Sequence, residues 1–157
     1  MPEKPKVAIG SDHAGFALKE SVRQYLQGLG YDVEDCGAYS EQPADYPDYA
    51  EKVATRVARN SAATGVLICG TGLGVAIAAN KILGIRAATC NNTLLARFAR
   101  AHNNANVLAM GGRMVDRAEA QKILDTWFST PFAGGRHEER VEKITNIEDE
   151  QHKEATS

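Results

Sequence analysis

A cysteine followed by three alternating glycines, CGTGLG at 69–74, is the stretch with the clearest chemical potential. The branched apolar run at 65–68 predicts a buried strand before it, and the alanine-rich stretch at 75–82 predicts a helix after it. Open α/β sheets bind ligands where a strand leads into a helix, and a helix amino terminus favours negative charge. The thiol is therefore a candidate base or nucleophile beside an anion-binding loop. The alternative is an ordinary glycine-rich turn after a core cysteine.

The residues around this loop exclude two nucleotide-binding motifs. A Walker A loop ends in Gly-Lys-Ser/Thr, whereas Val75 follows Gly74 here. A dinucleotide fingerprint requires glycine at position 75 and an acidic residue after the next strand, where this chain has Asn91 and Asn92. We therefore expect neither ATP nor NAD as a cofactor.

Asp12 and His13 directly follow another predicted strand, at 6–10. The carboxyl ends of parallel strands meet at one edge of a sheet, so both residues are expected at the same edge as Cys69. The alternative for Asp12 is a structural role as the cap of the following helix.

His102 and Asn103 end a predicted helix at 93–101. A histidine at this position either takes part in chemistry or only stabilises the carboxyl end of the helix. The chain contains no HxH, HExxH or cysteine–histidine cluster, so no metal site is expected.

Arg136 and Arg140 are four positions apart, which places them on one face of a predicted helix at 136–151. Two guanidinium groups on one face suit the oxygens of a phosphate. The alternative is a solvated face on which neighbouring glutamates, Glu138, Glu139 and Glu142, neutralise both arginines.

The composition is that of one globular domain without a nucleic-acid-binding or membrane-binding charge pattern. The 157 residues are 43% hydrophobic and 24% charged, with a formal net charge of -2. No apolar run is long enough to span a membrane, and the first residues lack the core of a signal peptide. Three widely spaced cysteines, Cys36, Cys69 and Cys90, favour reduced thiols in the cytoplasm.

The remaining pattern alternates strands with helices. Strands are predicted at 6–10, 31–36, 65–68, 86–90 and 106–110, and helices at 16–29, 48–60, 75–82, 93–101, 116–128 and 136–151. This order predicts an α/β fold, a single doubly wound (Rossmann-like) five-stranded parallel sheet with helices on both faces. The domain is expected to cover 1–147, followed by a charged, frayed tail at 148–157. The extra carboxyl-terminal helix is expected at a dimer interface; the alternative is packing on its own sheet.

Several stretches, taken in order, form a family pattern over nearly the whole chain. They are GSDHAGF at 10–16, DYPDYA at 45–50, CGTGLG at 69–74, AANK at 78–81, GIRA at 84–87, HNNAN at 102–106, GGR at 111–113 and GGRHEER at 134–140. The chain thereby resembles the type B ribose-5-phosphate isomerases and their sugar-phosphate isomerase relatives. Only the first few residues and the tail after Ile147 fall outside the resemblance.

The resemblance implies interconversion of an aldose phosphate and its ketose through an enediolate, without metal or cofactor. It implies that Cys69 moves a proton between carbon 2 and carbon 1, while Thr71 and the glycines Gly70, Gly72 and Gly74 donate to the enediolate oxygen. In other enzymes, removal of one such donor costs on the order of 3 kcal/mol.

The resemblance also assigns the other candidate residues. His102 would open the furanose ring, and Asp12 would move protons among the sugar oxygens. The implied phosphate ligands are His13, Arg113, Arg136 and Arg140, and the residues lining the sugar are Tyr46 and Asn103. Family active sites straddle a dimer interface, so we expect a homodimer, or a dimer of such dimers, with shared active sites.

Two positions narrow the expected substrate. Some relatives lack the cysteine base and carry glutamate where this chain has Val75, so the chain resembles the cysteine type. Galactose-6-phosphate isomerase subunits depart from the His-Asn pair and the RHxxR ending, both of which are kept here. The favoured reaction is interconversion of D-ribose 5-phosphate and D-ribulose 5-phosphate in the pentose phosphate pathway. Alternatives are isomerisation of allose 6-phosphate, galactose 6-phosphate or erythrulose 4-phosphate, and, more remotely, a non-catalytic sugar-phosphate sensor.

Overall fold

The computed structural model describes residues 4–156 as a parallel sheet covered by helices. The strands are β1 (Lys6–Ser11), β2 (Asp32–Asp35), β3 (Thr64–Cys69), β4 (Ala87–Thr89) and β5 (Val107–Gly111). The helices are α1 (Phe16–Gly28), α2 (Tyr46–Ala58), α3 (Leu73–Ala79), α4 (Thr93–Ala101), α5 (Arg117–Ser129) and α6 (Arg136–Thr156). All strand pairs are parallel, in the order β2-β1-β3-β5-β4, which confirms the predicted five-stranded sheet.

Alternate residues of each strand face one of two apolar cores. Val7 and Ile9 pack with α1, α4 and α5 on one face, whereas Ala8 packs with α2 and α3 on the other. The central strand β3 is buried along its whole length because helices cover both of its faces. The doubly wound arrangement is therefore confirmed.

The sheet has a topological switch point between β1 and β3. The chain leaves β1 through α1 toward one edge of the sheet and leaves β3 through α3 toward the other edge. Such a divergence opens a crevice at the carboxyl ends of the two strands. Ser11 pairs with Ile68 in the register, so the next residues, Asp12 and Cys69, lie side by side at this crevice.

Three helices, α2, α3 and α6, differ from the sequence prediction by more than one residue at one or both ends. α2 begins at Tyr46 rather than 48, because Pro47 fits the first helical turn, where its missing N–H is not needed. α3 begins at Leu73 and ends at Ala79, after which the Asn80 side chain bonds both polar backbone groups of Ala87 in β4. The third difference is the end of α6.

α6 continues to Thr156 instead of ending near 151, so the predicted frayed tail is helical over 148–156; Ser157 lies outside the described residues. Both carboxylate oxygens of Glu148 accept from the Gly84 backbone N–H at 3.1 Å, which anchors the helix beyond its middle. Of its apolar residues Val141 is buried, whereas Ile144 and Ile147 remain 47% and 61% exposed. None of the helices in residues 4–156 has the length and hydropathy needed to cross a membrane.

Candidate active site

Cys69 ends β3 inside the crevice, with only 5% of its surface exposed. Its Sγ accepts a hydrogen bond from the Gly72 backbone N–H at 3.2 Å. Its carbonyl oxygen accepts from the Gly112 N–H at 2.7 Å, which ties the end of β3 to the loop after β5. The sulfur is thus held in one position next to a backbone N–H donor.

The glycine loop can reach the sulfur because Gly72 adopts a left-handed conformation, with φ of 84°. The next polar group in the loop is the Thr71 hydroxyl, whose oxygen accepts from the Leu73 N–H at 3.2 Å. That bond leaves the hydroxyl proton of the exposed Thr71 available for an oxygen of a ligand. The loop therefore presents donors of the kind that an enediolate oxygen requires.

The other two loop glycines make room for side chains from elsewhere in the fold. A Cβ at Gly70 would lie 3.3 Å from an Arg113 Nη1, so this guanidinium lies against the loop. A Cβ at Gly74 would lie 2.5 Å from the Tyr46 ring, so the ring packs directly on the first turn of α3. Because glycine has no side chain, Arg113 and Tyr46, both expected site residues, can lie directly against the loop that follows Cys69.

Asp12 and His13 complete this edge of the sheet. One carboxylate oxygen of the buried Asp12 accepts from the Gly15 N–H at 3.0 Å, a bond within the turn before α1. The residue that precedes α1 is Gly15, and α1 has no side-chain cap, so the structure does not support Asp12 as the helix cap. The Nδ1 of His13 lies 3.1 Å from the backbone nitrogen of Ala44 and 3.2 Å from its carbonyl oxygen. Depending on the tautomer of the ring, Nδ1 either accepts from the Ala44 N–H or donates to the Ala44 carbonyl, and either bond orients the exposed ring.

Asn91 is a supporting residue of the site that was not predicted from the sequence. Its side-chain nitrogen donates to the Thr71 carbonyl at 2.9 Å, and its side-chain oxygen accepts from the Gly111 N–H at 2.8 Å. It thereby links the glycine loop to the end of β5. Its position directly after a predicted strand was the available signal, because polar residues there reach the carboxyl edge of the sheet.

His102 belongs to a second cluster, where its ring stacks between Phe98 and His137. The centroid distances are 4.8 Å to Phe98 and 4.2 Å to His137. Desolvation lowers the pKa of His137, and the charges of His102, Arg136 and Arg140 lower it further. Phe98 was not singled out from the sequence, although its i,i+4 spacing to His102 indicates a shared helix face.

The two clusters lie at opposite edges of the sheet within one chain. α4 starts beside Asn91 at the carboxyl edge and ends where β5 begins, so His102 lies about 13 Å along the sheet from that edge. The Ala133 N–H donates to the Ala101 carbonyl at 2.9 Å, which places the start of α6, with its exposed Arg136 and Arg140, beside His102. Asn103, also exposed, lies on the same turn as His102. One copy of the chain therefore separates His102, Asn103, Arg136 and Arg140 from Cys69.

Among residues 4–156, no group of three or more histidine, cysteine, aspartate or glutamate side chains is arranged to hold a metal ion.

A sequence model of the ribose/galactose isomerase family matches residues 7–144. This chain belongs to that family. It is 48% identical to ribose-5-phosphate isomerase B of Escherichia coli K12 over 143 residues, which cover 91% of this chain and 96% of the relative.

Solved structures of family members share the same fold. Ribose-5-phosphate isomerase B of Clostridium thermocellum superposes with a TM-score of 0.92 at 49% identity, covering 93% of this chain and 99% of the other. The Mycoplasma genitalium ribose-5-phosphate isomerase B, solved with bound ribulose-5-phosphate, gives a TM-score of 0.89 at 43% identity, covering 92% and 97%.

Proposed function

We propose that this protein is an aldose–ketose isomerase that interconverts D-ribose 5-phosphate and D-ribulose 5-phosphate through an enediolate. The observation that carries the proposal is the Cys69 sulfur, fixed at the switch point of the sheet by the Gly72 N–H at 3.2 Å. Membership of the ribose/galactose isomerase family supplies the reaction class. The similarity to ribose-5-phosphate isomerase B of Escherichia coli favours the five-carbon substrate.

The isomerisation step assigns a task to each group of the crevice. The Cys69 thiolate takes the proton from carbon 2 of the open-chain aldose, and the electron pair moves through the new C1–C2 double bond onto the carbonyl oxygen. The Thr71 hydroxyl and the loop N–H groups stabilise that oxygen. Asp12 transfers a proton between the oxygens on carbons 1 and 2, and Cys69 returns its proton to carbon 1 to give the ketose.

Ring opening precedes this step, because ribose 5-phosphate is mainly a furanose in water. In our proposal His102 removes the proton of the anomeric hydroxyl while the ring oxygen gains one and the C1–O4 bond breaks. Asn103 and Tyr46 contact the sugar hydroxyl groups. The phosphate is bound by His13, Arg113, Arg136 and Arg140, of which the three guanidinium groups suit its oxygens.

These assignments require two copies of the chain, because His102, Asn103, Arg136 and Arg140 lie far from Cys69 in one copy. We therefore propose a homodimer in which each active site takes Cys69 from one subunit and His102 from the other. Large apolar side chains that remain exposed support an interface formed by α3, α4 and α6; they are Leu73, Ile77, Leu94, Leu95, Phe98, Ile144 and Ile147.

Mixing two inactive variants tests the shared site. Cys69→Ala and His102→Ala are each expected to be inactive, but a mixed dimer carries one intact site. Random reassociation of equal amounts should restore about a quarter of the wild-type activity. If the mixture stays inactive although mass spectrometry detects mixed dimers, each site is built from one chain and the proposal is wrong.

The reaction itself is tested by incubation with ribose 5-phosphate in heavy water, followed by NMR. Loss of the carbon 2 proton signal together with formation of ribulose 5-phosphate is expected. Comparison of kcat/KM with allose 6-phosphate, galactose 6-phosphate and erythrulose 4-phosphate then checks the sugar. If folded, reduced protein exchanges no proton with any of these sugars, the result would favour a non-catalytic sugar-phosphate sensor.

We further propose that the enzyme works in the reducing cytoplasm, because Cys36, Cys69 and Cys90 are all free thiols.

A further inference from the structure

The turn that carries His102 and Asn103 is held by two arginines from different parts of the chain. Arg100, in the last turn of α4, donates from Nη1 to the Ala105 carbonyl at 2.6 Å and to the Asn104 side-chain oxygen at 3.4 Å. Arg86, just before β4, donates from Nε to the Asn104 carbonyl at 2.9 Å. Consecutive backbone carbonyls of the turn are thus fixed by two separate guanidinium groups.

The same turn is bonded to the segment 84–86 by Asn106. Its side-chain oxygen accepts from the Arg86 N–H at 2.8 Å, and its side-chain nitrogen donates to the Gly84 carbonyl at 2.9 Å. Asn104 adopts a left-handed conformation with φ of 47°, which asparagine tolerates better than most residues. The turn therefore has one defined backbone conformation rather than the variability usual for a surface connection.

Two positive charges, on Arg86 and Arg100, lie partly buried beside each other, which is unfavourable unless other contacts compensate. Burial lowers the pKa of both guanidinium groups, and the positive charge of Arg86 lowers the pKa of Arg100 further. Within residues 4–156, neither arginine has a carboxylate within ion-pair distance; Glu148 acts on Arg86 only at longer range. Charge-assisted bonds to the turn, together with the contact of Arg100 with the Trp127 ring at 5.7 Å, are what hold the two cations there.

We propose that Arg86 and Arg100 are positioning residues that hold the 102–106 turn so that His102 and Asn103 are presented in the geometry needed for ring opening. Neither arginine is assigned a contact with the substrate. The inference rests on the proposed function of His102, and it adds that Arg86 and Arg100 are the residues that fix the position of the His102 ring.

The direction of the reaction separates positioning from general damage to the enzyme. Ribose 5-phosphate must be opened before isomerisation, but ribulose 5-phosphate cannot close to a furanose because its oxygen 5 carries the phosphate. Solvent exchange at carbon 1 of ribulose 5-phosphate therefore needs Cys69 but no ring opening. Loss of positioning should reduce conversion of ribose 5-phosphate while leaving this exchange largely intact.

The experiment uses the full-length variants Arg86→Met and Arg100→Met. Arg59→Met is the control for the same chemical change, because Arg59 is an exposed arginine just after α2. We expect kcat for ribose 5-phosphate to fall about 10–100-fold, because small misplacements of catalytic groups cost this much. Carbon 1 exchange of ribulose 5-phosphate should change less than about threefold. Arg86→Lys and Arg100→Lys, which keep a charged donor, should recover part of the lost kcat. An equal fall in both rates, or no fall in either, would overturn the proposal.

Amide hydrogen exchange tests the same inference without any sugar. In both Met variants, amides at 103–106 should exchange about tenfold faster, while amides of β5 keep their wild-type protection. Unchanged protection at 103–106 would contradict the proposed role even if the enzyme acted on another sugar. If the wild-type protein does not convert ribose 5-phosphate but the exchange pattern is as expected, the positioning role stands and the substrate assignment fails.

Discussion

The Gly72 backbone N–H donates to the Cys69 Sγ over 3.2 Å, so the loop that would stabilise a substrate oxygen also binds the sulfur that would move the proton. Because the donor is a backbone group in a turn fixed by the left-handed φ of Gly72, it is already oriented before a substrate arrives. The sulfur and the donor therefore act as one unit.

Replacing Cys69 with alanine should lower turnover by about 10²–10⁴-fold, the usual effect of losing a general base. Binding should persist, because the proposed phosphate ligands are unchanged. Turnover by NMR and binding by calorimetry measure the two effects separately. Cys36→Ala is the control, since the Cys36 thiol bonds the Glu34 carbonyl rather than the glycine loop. Loss of activity in the control but not in Cys69→Ala would refute the assignment.

A thiolate-selective alkylating reagent such as iodoacetamide should modify Cys69 before the other cysteines at neutral pH. Burial raises the pKa of the Cys36 thiol and raises the pKa of Cys90 to about 12, so both stay protonated. Peptide mass spectrometry identifies the labelled cysteine, and a parallel assay should show that activity falls in step with the labelling of Cys69. The expectation fails if Cys36 or Cys90 reacts first, or if labelled Cys69 leaves activity intact.

Replacing Gly74 with alanine should displace the Tyr46 ring, because the new Cβ would lie 2.5 Å from it. Overpacking of this kind typically destabilises a fold by about 1–3 kcal/mol. Because Tyr46 is proposed to contact the sugar, displacement of its ring should also weaken substrate binding, and we expect KM to rise about tenfold. Steady-state kinetics with ribose 5-phosphate checks this result. Gly28→Ala is the control: no atom lies within 4 Å of its added Cβ, and stability should rise by about 0.5–1 kcal/mol with unchanged kinetics. Equal KM values for both variants would argue against Tyr46 in the site.

Inorganic phosphate should raise the pKa of His137. In the free protein, desolvation and the charges of His102, Arg136 and Arg140 lower that pKa, so the ring loses its proton at a lower pH than an ordinary histidine. A phosphate bound by the arginines would offset the positive field, and the ring would stay protonated to higher pH. NMR titration of the ring with and without phosphate measures the shift, with the exposed His152 as the internal reference. Identical His137 titrations would mean that phosphate does not bind there.

Much of the site could be predicted from local sequence because its parts are local. The glycine loop after Cys69 requires only a strand before it and a helix after it, and the structure confirms both elements, although α3 begins and ends earlier than predicted. The Asp116 cap was equally predictable, since its side chain bonds the Glu119 N–H within one turn at 2.8 Å. The parallel order of strands and helices likewise followed from periodicity alone.

The tertiary structure decided what depends on distant residues. Strand order brings Asp12 and Cys69 together, although 57 positions separate them, and the length of α4 moves His102 to the opposite edge. Lys19 looks like a surface residue in the sequence, yet it is fully buried because Asp35 accepts both of its short bonds, at 2.7 and 2.8 Å. The sequence by itself determined which groups could do the chemistry, since residue types and their spacing along one element are local properties. Only the folded chain determined which groups meet, because packing and strand order join segments that local patterns cannot relate.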